Sequence, residues 1–404
     1  MFAGQKVLLQ QLKAFGLAIL ICSLLIGGMS IIVGIRTEGL ARSVIPPKYA
    51  PNYQSGDIAA YIRLTLKSKR NILIIGSCEL TDYDIVPVIA NNFIRENWGV
   101  PVLAFGHGGM QSIAIAAQLA AYFDDLKNAR VVIILSPDWF SELEVRTTLP
   151  AFFEFMPIRL LARYYFNRSI PTDARERIDG FLYGYKSHIK FLNNTMAAIL
   201  SRYEKVSLLK QLIRVFNNAE IYFSEYFSLR FLDAYDITRL ASKDFSEKDS
   251  PMFAEKTVEW EKLIKEADER FEKLSIKNSY GFLDAPYESF YRQQGPWPQP
   301  MKKALLNGEE FKDFKAMVEI LKAAKCRPLF VMLGLNPKAF TNLDTFEPLI
   351  QDIKSVLTKN NMPVVDLWHE PYHPSSFSGP LQLGDYAWLK INRAIYDYFI
   401  RNKT

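Results

Sequence analysis

The residues best suited to chemistry lie in short runs of small and polar side chains, each closing an apolar stretch. "GSCEL" (76–80) ends the run "NILII" and carries Cys78. A thiol has a reference pKa of about 8.5, so a few per cent is thiolate at neutral pH, and an electropositive turn or a helix N-terminus increases that fraction. Cys78 is therefore a candidate acyl-accepting nucleophile, with a small residue in a tight turn as the structural alternative. "FGHGGMQS" (105–112) adds His107 and the pair Gly108 and Gly109, whose N–H groups suit an oxyanion or a bound carbonyl, or serve only a turn. "DLWHEPYHP" (366–374) adds His369 and His373, which with His107 are the candidate bases. Ser77 is a fallback hydroxyl, although strand alternation points it away from Cys78. Glu79 reads as a local hydrogen-bonding residue, and Asn336 in "GLNP" as a polar lining group or a turn residue. Ser136 and Trp139 in "SPDWF", and Trp388, read as packing residues.

The elements that must position these groups follow from the apolar pattern. "NILIIG" (71–76), "PVLAFG" (101–106), "RVVIILS" (130–136), "RPLFVML" (327–333) and "MPVVDL" (362–367) are short and β-branched or aromatic, as strands buried on both faces are. Helices are expected over about 81–97, 110–127, 309–325, 345–360 and 384–401. This rhythm predicts an α/β fold with a parallel sheet, whose ligands bind beyond the carboxyl ends of the strands. The alternation breaks over 141–300, a mainly helical insertion ending in the Pro-rich hinge "QQGPWPQP" (293–300). The two halves of the α/β domain are then 70–140 and 301–404. Cys326 precedes its strand, at the opposite edge of the sheet from Cys78, and the two are not expected to pair.

Composition narrows the class. The chain has 404 residues, 49% hydrophobic, and a formal charge of +6 with no dense basic block, which argues against a nucleic-acid partner. Three cysteines and four histidines show no metal-ligand spacing, and no cofactor is implied. Residues 14–35, "AFGLAILICSLLIGGMSIIVGI", carry no charge and at about 1.5 Å per residue would span a hydrocarbon core of about 30 Å. The expectation is a single-pass anchor over 1–36 and a juxtamembrane connector over 37–69. A cleaved signal peptide is the competing reading.

"GSCEL", the spaced "FGHGGMQS" and "LSPDWF", "GEEFKDFKAMVEIL" before a strand and the terminal "LQLGDYAWLKINRAI" together resemble the DltD family of D-alanyl-lipoteichoic acid biosynthesis, in the same order and over most of the chain. The resemblance implies an SGNH-hydrolase-like, flavodoxin-like fold. It also implies a domain outside the cytoplasm beside a membrane O-acyltransferase, an acyl carrier protein across the membrane, and an envelope glycopolymer as acceptor. The family's nucleophilic Ser falls on Cys78, its His on Gln382 and its Asp on Gly379. Two functions stay open. One is acyl transfer or thioesterase chemistry through Cys78; the other is a non-catalytic partner that binds carrier, polymer or O-acyltransferase. An outward-facing thiol would meet an oxidising compartment, which weighs against the first.

Overall fold

In a computed structural model, the described residues are 56–80, 86–142, 147–156, 158–184 and 256–401, with scattered positions between 11 and 32. Seven strands and eleven α-helices are described. Five strands, β1 (Ile72–Gly76), β2 (Val102–Gly106), β3 (Arg130–Leu135), β5 (Arg327–Met332) and β7 (Val364–Asp366), form one sheet in the order β2-β1-β3-β5-β7. Every pairing in it is parallel. The two-residue strands β4 (Gln299–Pro300) and β6 (Phe340–Thr341) pair with each other.

Side-chain alternation divides the strands between two cores. Leu73, Ile75, Leu103, Phe105, Val131 and Ile133 face one side, where α1 (Gly56–Ser68), α3 (Ser112–Ala121), α9 (Glu309–Ala323) and α10 (Glu347–Lys359) pack. Ile72, Ile74, Val102, Ala104, Val132 and Ile134 face the other, against α2 (Ala90–Trp98) and α11 (Asp385–Ile395). Helices on both faces explain why the strands read as unbroken apolar runs rather than as alternating ones.

The insertion is partly described. Helices α4 (Leu149–Phe155), α5 (Ile158–Phe166) and α6 (Thr172–Gly184) bury Phe152, Leu161 and Ile178 in the first core. Arg177 of α6 reaches Asp313 and Glu309 of α9, at 2.5 and 2.7 Å. Lys312, then Arg177, hold the Glu309 carboxyl down at about 2. Helices α7 (Trp260–Leu274) and α8 (Asp284–Ser289) follow, whereas 185–255 lie outside the described residues. The segment expected as a hinge is anchored at one residue, while most of the rest is exposed. Trp297 is 8% exposed among Phe282, Tyr291 and Phe340, and β4 takes its hydrogen bonds beside β6.

Three expectations are met in part or fall partly outside the described residues. Residues 56–68, set in the connector, form α1 and bury Ile58, Tyr61, Ile62 and Leu64. Residues 81–85, where a helix was expected to begin, lie outside the described residues; the first described α-helix after β1 is α2, from Ala90. The expected membrane helix over 14–35 is not among the described elements. Much of that span lies outside the described residues, and no described helix is long and apolar enough to cross a membrane. Its described positions, Phe15, Leu17, Leu24 and Ile32 among them, are helical and exposed.

Candidate functional site

The five main strands, taken in chain order, run 2-1-3-4-5 across the sheet. The chain leaves β1 to one side for β2 and returns to the other for β3. The loops therefore part at the carboxyl end of β1, and that divergence opens a crevice where ligands of such sheets bind. Cys78 sits there, half-buried, at the head of a single 3₁₀ turn, Cys78–Leu80.

The turn is built from its neighbours. Ser77 N–H donates to Glu79 Oε1 at 2.5 Å, and Glu79 is 3% exposed. A Cβ on Gly76 would run into that same carboxyl, so glycine at 76 is what lets Glu79 fold back beneath the turn. Gly106 at the end of β2 has the same role for the backbone, since a Cβ there would lie 2.6 Å from the Ser77 carbonyl oxygen. Ser77 Oγ donates to the His107 carbonyl at 3.1 Å, and Met110 N–H donates to that carbonyl at 3.0 Å. Ser77, Glu79 and the two glycines thus hold the ends of β1 and β2 together, and residue 78 is the member that remains half-exposed.

Around Cys78 stand the ends of its two neighbouring strands. On one side His107, Gly108 and Gly109 are exposed, with Gly109 in the left-handed region at φ 84°. His107 Nδ1 lies 3.0 Å from the Gly108 carbonyl, and its ring is tilted against Phe155 at 5.9 Å. Thr147 Oγ1 donates to the Gly109 carbonyl at 3.0 Å. On the other side Ser136 Oγ donates to Asp138, whose carboxyl is pushed up by burial. Trp139 is buried in the first core and Trp388 in the second.

The remaining site residues have partners of their own. Asn336 is fully buried; its Nδ2 donates to the Tyr280 and Gly281 carbonyls at 3.0 and 3.1 Å, and its Oδ1 accepts from Lys338 N–H. His369 follows β7, three strand positions from β1, or about 14 Å at a spacing of about 4.8 Å. Its Nδ1 is 2.7 Å from Asp366 and its Nε2 3.1 Å from Glu347, and Asp366 first, then Glu347, raise its pKa. His373 stacks on Tyr386 at 3.8 Å and has Asp268 of α7 at 3.4 Å from Nδ1. Gln382 Oε1 accepts from Tyr291 Oη at 2.8 Å. A Cβ on Gly379 would collide with that Oε1, so these two positions interlock. His107 follows β2, the strand paired with β1, so its backbone lies at the strand end next to that of Cys78.

Sequence reasoning passed over Tyr291, Asp138 and Asp268, because each acts through a partner remote in the chain or through burial. Among the described residues no group of three or more His, Cys, Asp or Glu is arranged to hold a metal ion. Cys326 donates to the Ala129 carbonyl at 3.4 Å at the other end of the sheet, and burial pushes its thiol up to about 12.

A helix-flanked, all-parallel sheet with a locked small-residue turn at its switch point defines an open α/β protein with functional loops gathered at one sheet edge. Comparison with known proteins then fixes the group more narrowly. The chain belongs to the DltD family, described as DltD protein, which matches residues 49–400. It is 24% identical to protein DltD of Bacillus subtilis (strain 168) over 354 residues, 84% of this chain and 85% of that one. It is 21% identical to protein DltD of Staphylococcus aureus (strain NCTC 8325 / PS 47) over 344 residues, 81% of each.

Proposed function

We propose that this chain serves D-alanylation, or a related O-acylation, of teichoic acid or another envelope glycopolymer, with Cys78 as the acyl-accepting thiol. The observation that carries this reading is the turn at the switch point, where Gly76, Ser77, Glu79 and Gly106 are committed to presenting residue 78. In the first step the Cys78 thiolate attacks the carbonyl of an acyl thioester, forming a new S–C bond as the donor thiolate leaves. In the second a polymer hydroxyl attacks the Cys78 thioester. His107 Nε2 takes the hydroxyl proton and returns it to the departing Cys78 sulfur, so atoms and charge balance. The N–H groups of the Gly108–Gly109 loop face the oxyanion that forms in each step.

The exposed apolar side chains of Phe15, Leu17, Leu24 and Ile32 favour a single-pass anchor, and membership of the DltD family favours a globular domain outside the cytoplasm. Its partners in this reading are a membrane O-acyltransferase, an acyl carrier protein across the membrane and the polymer. A specific observation favours a second reading, a non-catalytic partner of that O-acyltransferase. The positions that the family resemblance assigns to base and acid are Gln382, bonded to Tyr291, and Gly379, held empty by Gln382.

Envelope D-alanyl ester separates the two. In cells lacking this protein, Cys78→Ala and His107→Gln at matched levels should fail to restore the ester, whereas Cys78→Ser restores part of it. Full restoration by Cys78→Ala refutes the thiol route and leaves the non-catalytic reading.

A further inference from the structure

The turn after β2 has its acceptors taken and its donors open. The His107 carbonyl accepts from Ser77 Oγ at 3.1 Å and from Met110 N–H at 3.0 Å. The Gly108 carbonyl has His107 Nδ1 at 3.0 Å, and the Gly109 carbonyl accepts from Thr147 Oγ1 at 3.0 Å. Among the described residues, neither the Gly108 N–H nor the Gly109 N–H donates to any group. A turn so arranged presents partial positive charge to whatever sits in front of it.

Its middle peptide plane, which joins Gly108 to Gly109, is the one least held by sterics. With a glycine on each side it rotates with little resistance, so its N–H keeps a direction only if the planes before and after it are fixed. The plane before it is fixed by Ser77 through the His107 carbonyl. The plane after it carries the Gly109 carbonyl, whose partner among the described residues is Thr147.

Thr147 is placed for this task and for no other that the structure shows. It is 1% exposed, so its hydroxyl is held by packing. Its neighbour Thr148 is the residue that caps α4, accepting from Ala151 N–H at 3.4 Å, which leaves the Thr147 hydroxyl out of the helix start. Helix α4 then runs across the turn, with Ala151 Cβ 3.9 Å from where a Cβ on Gly109 would lie and the Phe155 ring 5.9 Å from that of His107.

We infer that Thr147 is a positioning residue for acyl transfer, an inference that rests on the thiol route through Cys78. Acting through the Gly109 carbonyl, it keeps the Gly109 N–H aimed at the carbonyl oxygen of the acyl group. When the Cys78 thiolate adds to the donor thioester, an S–C bond forms and the carbonyl π pair moves to oxygen. The aimed N–H stabilises that charge until the C=O reforms and the donor thiolate leaves. The start of the insertion thereby contributes to the site at the sheet end, although it touches no reacting atom.

The test is single-turnover acylation of Cys78 in the full-length protein in detergent micelles, read by intact mass after rapid quenching. The donor is the D-alanyl thioester of N-acetylcysteamine. Loss of a whole oxyanion donor costs about 100- to 1,000-fold, so loosening one should lower the limiting rate of Thr147→Val and Thr147→Ala about tenfold. The half-saturating donor concentration should stay unchanged, because the charge exists only in the transition state. Thr147→Ser should restore the rate to within about threefold of wild type. Stability has a different order: valine keeps the buried methyl that serine and alanine lose, so in Tm Thr147→Val should exceed Thr147→Ser. Rates that follow the hydroxyl while Tm follows the methyl support positioning. Wild-type speed in Thr147→Val, a Thr147→Ser variant slower than Thr147→Val, or a loss confined to the half-saturating concentration overturns the inference. A wild type that forms no acyl adduct at Cys78 refutes the thiol route itself, and shows it without any Thr147 variant.

Discussion

Replacing Gly76 with alanine tests the claim that the turn under Cys78 is held by a side chain folded back into the space a Cβ would occupy. The new methyl would meet Glu79 Oε1 within contact distance and Ile134 Cβ at 3.2 Å. The Ile134 contact belongs to the sheet, so the Glu79 carboxyl must move and its bond to Ser77 N–H is lost. Leaving a buried donor unpaired costs about 1–3 kcal/mol, while the lower unfolded-state entropy of alanine returns about 0.4–1 kcal/mol. The expected net destabilisation is about 2 kcal/mol. With an unfolding entropy of about 2.1 cal/mol/K per residue, that lowers Tm by about 2–3 °C. Glu79→Ala alone should cost about as much, because it strands the same N–H. Since Glu79→Ala removes the obstacle, the double variant should cost little more than either single one. The coupling energy is then about 1–2 kcal/mol in the favourable direction. Thermal unfolding of the four proteins reads it directly. Additive effects, with the double variant near twice the single, would mean that Gly76 and Glu79 do not share the space and would refute the reasoning.

Two further predictions follow from ionisation and burial. Asp366 and Glu347 raise the pKa of His369, and despite partial burial Lys354 and His369 hold Asp366 below its ordinary value. A folded value above the unfolded one of about 6.5 stabilises the protein fully below that unfolded value, and the contribution is lost as pH rises through the folded one. Wild type should therefore exceed His369→Gln in Tm most at pH 5.5, with the gap closing by pH 8.5; a gap that widens with pH contradicts the pairing. Cys78 and Cys326 are both half-buried, but desolvation pushes the Cys326 thiol up to about 12 and so suppresses its thiolate. Iodoacetamide at pH 8 should label Cys78 in the native protein and Cys326 only after unfolding, as read by peptide mass mapping. Equal labelling of both would contradict the burial.

Much of the fold is legible in the sequence because strands covered on both faces leave continuous apolar runs. All five main strands fall within the runs at 71–76, 101–106, 130–136, 327–333 and 362–367. What is harder to read depends on partners far away in the chain. Glu310 in "GEEFKDF" looks like a solvated helix-start acid, yet it is 1% exposed and accepts the Ser112 N–H at the start of α3. Helix α1 is hidden in a connector because its apolar positions gain meaning only against the first core. At the candidate site, Cys78 is marked by the abrupt end of its strand. The clamp beneath it is not, because nothing in "GSCEL" says that Glu79 bends back over Gly76. A cleft beyond β5 and β7 draws on residues from 334 to 387 whose common address is spatial, with no periodic pattern to reveal it.

The interlock of Gly379 and Gln382 bears on which sequences lie within one substitution of this one. An acid introduced at 379 drives its Cβ into Gln382 Oε1, and an imidazole introduced at 382 gives up the bond to Tyr291 while still facing a glycine. Neither change alone produces an acid–imidazole pair, and each carries a local penalty. In the reading that gives positions 379 and 382 the family's acid and base, the chain is separated from a triad-bearing form by a two-substitution ridge, which steric exclusion at one glycine is enough to raise.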